Sequence, residues 1–188
     1  MLVPSGKKDA TVRPSFPTAP FRLSKERQRS VNKNIILLPD PAVVQIAGVE
    51  FAVSASEIIQ RLGREQISCS GNKENEDRMT CLVNELFRQR SLYPLYPSSA
   101  DISYRLSEAI KRCVLSRIPH FIILSSILAP VVKVVSGSVF VNPNVLARGS
   151  SGTFAKLNID LNSIDKKSMV DSADSSVADF CEIHIVRL

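Results

Sequence analysis

The chain has 188 residues, 44% of them apolar and 22% charged, with 7 glycines, 4 cysteines and a formal charge of +6. That length suits one domain, and that composition excludes a collagen-like chain, a sustained coiled coil and a mostly disordered polymer. Cys69, Cys81, Cys113 and Cys181 are neither close CxxC pairs for zinc nor dense enough for a secreted disulfide scaffold, which points to a reducing compartment.

No signal peptide is expected, because Pro4, Gly6, Lys7 and Lys8 follow Met1-Leu2-Val3 before any apolar stretch of useful length. Residues 1–33 read as a basic, Pro-rich opening segment, extended and solvent-facing. Pro4, Pro14, Pro17 and Pro20 block helix there, and Arg22, Lys25, Arg27, Arg29 and Lys33 crowd the second half. Such a run suits a nucleic-acid arm, but Glu26 interrupts it and no aromatic residue interleaves with it, so a solvated loop is the commoner outcome. Short β-rich runs follow at 35–38, 43–46 and 49–53, the last two forming a hairpin in which Gly48 supplies a positive φ. Ser54 and Glu57 have capping-box spacing, and Ile58, Ile59 and Leu62 give a short helix an apolar face ending at Gly63. Residues 69–77 read as a polar loop. They lead into a helix whose Met79, Leu82, Val83, Leu86 and Phe87 form one buried stripe.

The second half predicts strands at 121–124, 131–135, 138–141, 154–159 and 181–186, separated by Gly137, Pro143 and Gly152. The apolar stretch 118–132 contains Pro119, His120 and Pro130 and falls short of the ~20 residues a bilayer requires, so buried strands are the better reading and no membrane contact is expected. Residues 160–179, rich in Ser and Asp, read as a flexible surface loop that the fold does not need.

Chemistry is sparse. Gly71-Asn72-Lys73-Glu74 resembles the Gly-Asn-His-acid signature of metal-dependent phosphoesterases, but Lys73 stands at the His position. With His120 and His184 as the chain's histidines, the further ligands of a two-metal clamp are missing, so no metal, cofactor or catalytic residue is assigned. Glu182 and His184 alternate on one strand face, which a solvent-facing strand produces without function. Gly149-Ser150-Ser151-Gly152-Thr153 resembles a phosphate-cradling loop, but it precedes a strand rather than a helix and reads as a turn. These residues alone describe a mildly basic α/β domain suited to interaction or scaffolding.

Three further stretches carry a resemblance: Arg90-Ser91-Leu92-Tyr93-Pro94-Leu95-Tyr96-Pro97, residues 136–143 ending in Asn142-Pro143, and Gly149-Ser150-Ser151-Gly152-Thr153-Phe154-Ala155-Lys156-Leu157. In order and spacing they resemble the B-subunit family of DNA polymerase alpha, and the likeness runs from Ile46-Ala47-Gly48-Val49-Glu50-Phe51 to Ile183-His184-Ile185-Val186-Arg187-Leu188. The signature residues read as architectural. Tyr93, Pro94, Leu95, Tyr96 and Pro97 set an extended, aromatic-anchored exit from the long helix, and Asn142 and Pro143 end a strand. Gly149 belongs to the same signature. Gly152 allows a close backbone passage before Thr153 and Phe154 begin the next strand, with Phe154 expected in the core. Asn144 and Ser125 depart from the family pattern, which has Gly and Pro there.

The resemblance implies a fold: α/β, with residues 34–188 as the C-terminal half of a calcineurin-like phosphoesterase sandwich, two mixed sheets flanked by helices, that has lost its metal ligands. A half-sandwich leaves sheet edges and an apolar face uncovered, so poor solubility alone is expected. It also implies a role: a non-catalytic accessory subunit of the DNA polymerase alpha–primase complex, nuclear, acting in initiation of replication and lagging-strand priming. The implied partner is the C-terminal domain of the catalytic subunit, with primase reached through the complex and DNA mostly indirectly. The rival readings are a B subunit of polymerase delta or epsilon, a nucleic-acid-binding module built on residues 22–33, and a phosphoesterase whose ligands lie outside this chain.

Overall fold

The computed structural model describes residues 1–4, 15–24, 26, 34–67, 77–147, 149–161 and 177–188. The expected hairpin forms from β1 (Ala42–Ile46) and β2 (Val49–Ser54), antiparallel, with Ala47 at φ 50° and Gly48 at φ 88°. Two positive φ values in a two-residue loop match the right-handed twist of the flanking strands. β3 (Phe121–Leu124) lies parallel to β2, and β5 (Ser138–Asn142) lies parallel to β3. β4 (Val131–Val135) closes the far edge antiparallel to β5, giving the order β1-β2-β3-β5-β4. Every residue of β5 is buried, as a parallel strand covered on both faces requires.

Helices α1 (Ile58–Glu65), α2 (Arg78–Arg88) and α3 (Leu106–Arg112) belong to the layer on one face of the sheet. The predicted stripe of Leu82, Val83, Leu86 and Phe87 is buried there with Ile58, Ile59 and Leu62 against Ala52, Ile122, Leu124 and Phe140. The other face carries a second sheet of β6 (Thr153–Ile159) and β7 (Cys181–Arg187), preceded by a 3₁₀ turn at Val177–Phe180. Ala155, Leu157, Ile159, Ile183 and Ile185 pack inward against Val49, Phe121, Val139 and Val141, and Phe51 stacks on Phe121 at 5.0 Å. The class is α/β with a mixed five-stranded sheet. The second sheet is antiparallel and two-stranded rather than the expected mixed one. Among the described residues no helix is long and apolar enough to cross a membrane.

Four local expectations change. The run at 35–38 makes a single parallel bridge, Leu2 with Leu37, and no strand. Ser54 and Glu57 form no capping box. Ser54 ends β2 with its hydroxyl on Asp40, Glu57 accepts from Ser126 and Ile127, and α1 runs past Gly63 to Glu65. Phe154 lies on the outward face of β6, 38% exposed, because the strand's period of two sends Ala155, Leu157 and Ile159 inward. The opening segment is not wholly solvent-facing, since Phe16, Pro17 and Thr18 are buried. Thr18 pairs with Asp40, and Phe16 lies 5.1 Å from Tyr93 and 6.3 Å from Tyr104 in a three-ring cluster. Most of 22–33, most of 69–77 and most of 160–179 lie outside the described residues.

Phe16 is 4% exposed and is the ring that ties the opening segment to the core. Phe16→Ala is expected to cost about 3–5 kcal/mol, read as a lower urea midpoint.

Candidate functional site at the carboxyl edge of the sheet

The parallel strands β2, β3 and β5 all end at one edge of the sheet, where open α/β sheets characteristically place ligands. Asn142, the last residue of β5, is fully buried. Its Oδ1 accepts from the Ser126 and Asn144 amides, both at 3.0 Å, while Nδ2 donates to the carbonyls of Leu128 at 3.1 Å and Ala129 at 3.0 Å. One side chain thereby fixes the turn after β5 and the loop between β3 and β4, with all four hydrogen-bonding positions of its amide filled.

The chain then doubles back on itself. The Thr153 hydroxyl donates to the Pro143 carbonyl at 2.6 Å, and its amide to Val145 at 3.1 Å. A Cβ on Gly152 would sit 1.6 Å from the Leu146 carbonyl oxygen. Asn144 occupies the left-handed region at φ 65°, a conformation that Asn tolerates better than most non-glycine residues. The Ser125 amide donates to the Ser54 carbonyl at 3.0 Å, a bond that a proline at this position could not make.

Asn142, Pro143, Gly152, Thr153 and Phe154 thus meet in one junction, with Gly149 at φ 64° in the preceding turn. Tyr93–Pro97 is elsewhere. Tyr93 is buried with Phe16 and Tyr104, its hydroxyl accepting the Ser99 amide at 3.2 Å, whereas Tyr96 is exposed.

Two carboxylates lie at the same edge. Asp40, fully buried, accepts from the Ser54 hydroxyl at 2.6 Å, the Ala55 amide at 3.1 Å and the Ser56 hydroxyl at 2.7 Å. Burial pushes its pKa up against the pull of those donors and of Arg61. Glu57 accepts from the Ser126 hydroxyl at 2.8 Å and the Ile127 amide at 2.9 Å. Both acids are occupied by donors of the protein itself, and no three His, Cys, Asp or Glu cluster among the described residues. This donor set does not fit a divalent metal, which needs carboxylates free to coordinate. Asp40 is not among the residues that the sequence singles out. The serines flanking the end of β2 are the available signal, and their spacing imitates a helix cap.

The remaining candidates stay apart from this edge. Residues 71–74 lie outside the described residues. His184 and Glu182 pair at 2.9 Å on the outward face of β7, both solvent-exposed. His120 precedes β3 at the opposite edge, where its Nδ1 accepts the Glu50 amide at 2.7 Å and Glu50 pairs with Arg117 at 2.5 Å.

Nδ1 accepts only while unprotonated. Burial, opposed by Glu50 and aided by Arg117, holds the His120 pKa below its usual value. A depressed folded pKa means that this stability is complete above the unfolded value of about 6.5 and is lost as pH falls through the folded value. The raised Asp40 pKa acts oppositely, its contribution lost as pH rises through that value. In melts taken from about pH 7 to about pH 5, His120→Gln, which keeps an acceptor but does not titrate, is therefore expected to lose less stability than the parent chain, with Asp40 common to both.

Residues 1–133 match the sequence model of a protein family, that of the DNA polymerase alpha/epsilon B subunits. The B subunit of DNA polymerase alpha from Caenorhabditis elegans is 34% identical over 188 residues, all of this chain and 31% of that protein. The Drosophila melanogaster protein of the same name is 31% identical over 83% of this chain and 24% of its own length. That of Mus musculus is 32% identical over 84% of this chain and 26% of its own. The chain spans less than a third of these relatives. With a family match over residues 1–133 and a relative 34% identical over its whole length, the chain belongs to the family of DNA polymerase alpha/epsilon B subunits.

Proposed function

We propose that the chain acts as a non-catalytic accessory part of the DNA polymerase alpha–primase complex, scaffolding the catalytic subunit in initiation of replication and lagging-strand priming in the nucleus. Its partner in this reading is the C-terminal domain of the catalytic subunit, with primase engaged through the complex. Residues 34–188 would be the C-terminal half of a calcineurin-like phosphoesterase sandwich, with 1–33 as its opening segment and 160–179 as a surface loop. Family membership supports the accessory role. The observation that carries the non-catalytic reading is that Asp40 and Glu57 are occupied by hydroxyl and amide donors at the edge where such a sheet would otherwise offer them to a ligand.

The test is co-expression of this chain, alone and within a chain of its relatives' full length, with the C-terminal domain of a polymerase alpha catalytic subunit, followed by gel filtration. A stoichiometric complex with the full-length chain is expected. No complex with either form overturns the scaffold reading, and metal-dependent cleavage of a phosphodiester by the full-length form overturns the non-catalytic one.

A further inference from the structure

Two adjoining cavities open where the turn after β5 meets β6. The larger, about 600 Å³, has Ile123, Leu146 and Leu157 in its wall and no charged residue. The smaller, about 320 Å³, has a single charge, that of Arg187, and no acid. Asn144, Val145 and Thr153 line both, so the two recesses share one wall. The chain itself holds that wall in place. The Asn144 carbonyl accepts the Ser125 hydroxyl at 3.2 Å, the Asn144 amide donates to Asn142 at 3.0 Å, and Thr153 bonds Pro143 and Val145. A recess formed before its ligand arrives costs little ordering on binding.

The strand register sets Arg187 beside this wall. Arg187 pairs with Thr153 across β6 and β7, and Thr153, Ala155 and Leu157 follow one another on the inward face of β6, so the arginine shares its face with residues that line the larger cavity. It is exposed and makes no ion pair or side-chain hydrogen bond among the described residues. An apolar recess next to an unneutralised guanidinium takes an apolar group and a carboxylate together. A nucleic-acid strand, charged at every nucleotide, would have to set a phosphate against the uncharged wall. Two recesses on one wall also suit two side chains branching from one backbone better than the single tail of a fatty acid.

We propose that this edge docks an extended peptide segment of a partner protein, with a leucine-like side chain in the larger cavity and a carboxylate two residues away held by Arg187. Side chains two apart in an extended chain project to the same side, which lets one segment fill both recesses. The site does not rest on the scaffold reading, because it uses this chain alone.

The experiment titrates the 188-residue chain into a labelled serine decapeptide that carries leucine and glutamate by turns at every second position, read by fluorescence anisotropy. Matched peptides carry lysine for glutamate or serine for leucine, and an oligothymidylate and decanoate serve as competitors. The parent chain is expected to bind the leucine–glutamate peptide and neither matched one. Arg187→Gln is expected to weaken that binding by about tenfold or more, and Leu146→Ser, at a side chain 62% exposed and outside the core, by about fivefold or more. Arg187→Glu should transfer preference to the lysine peptide, a reversal that a merely structural arginine would not produce. Lys156→Gln, on the outward face of β6, should match the parent, and circular dichroism establishes that each variant folds. Absence of binding by the parent chain overturns the proposal. So do Arg187→Gln and Leu146→Ser chains that bind like the parent, an Arg187→Glu chain with no gain for the lysine peptide, or a competitor that displaces the peptide at equal concentration.

Discussion

Gly152→Ala is expected to destabilise the chain by about 3 kcal/mol or more, lowering its melting temperature by roughly 6–12 °C. The cause is steric and involves backbone on both sides. The added Cβ would meet the Leu146 carbonyl oxygen at 1.6 Å and its carbon at 2.5 Å, with the Ala147 nitrogen at 3.2 Å. No rotamer change relieves such a contact, so the 144–152 turn must move away, and with it the Thr153 bonds to Pro143 and Val145 that start β6. Gly137 gives the contrast. Its φ of 77° lies in the left-handed region but nothing is within 4 Å of a Cβ there, so Gly137→Ala is expected to cost only about 1 kcal/mol of backbone strain. A difference of less than about 1 kcal/mol between the two variants in urea unfolding would show that the turn yields easily.

Asn142→Ala is expected to have a comparable effect, about 3–5 kcal/mol, for an electrostatic reason. Truncation strands two amides, those of Ser126 and Asn144, and two carbonyls, those of Leu128 and Ala129, around a residue with no solvent exposure. Asn142→Asp separates the two halves of the network. It keeps the acceptor for the amides and sets a carboxylate against two carbonyl oxygens, so that variant should become more stable as pH falls and its new acid is protonated. Urea melts of both variants at neutral and mildly acidic pH provide the check, and an Asn142→Asp chain insensitive to pH would mean that the carbonyls find other donors.

The strands of the second half were legible because β3 is a continuous apolar run, β5 has Val139-Phe140-Val141 at its centre and β7 alternates, patterns that follow from burial on two faces or on one. The helix at Arg78–Arg88 was legible from its stripe. α3 was not, because Leu106 and Ile110 are exposed and Ala109 alone is buried, leaving no amphipathic period to read. Ser54 and Glu57 misled for a different reason. Hydroxyl and carboxylate at capping spacing serve a side-chain network equally well, and which partner wins depends on Asp40 and Ser126, distant in sequence. Phe154 shows that size does not choose a face: parity along β6 does, and Thr153, Ala155, Leu157 and Ile159 hold the inward positions. The junction of Asn142 with Gly152 was visible only as two separate motifs, since nothing local states that the chain returns to touch itself.

The order of the main sheet governs when it can be completed during synthesis. The β1–β2 and β4–β5 hairpins close on turns at Ala47-Gly48 and Ser136-Gly137, and contacts this local form within about 1–10 μs. The seam between β2 and β3 is different, since the Glu50–His120 bond beside it spans 70 residues and α1, α2 and α3 lie in between. That seam closes late, after a large loop has been drawn in. A nascent chain that has emerged only as far as α3 therefore presents the inner edge of β2, with Phe51 on it, bare of its parallel neighbour. That edge is where two unfinished copies would join, and it makes the speed of translation through residues 55–120 a determinant of the yield of correctly assembled protein.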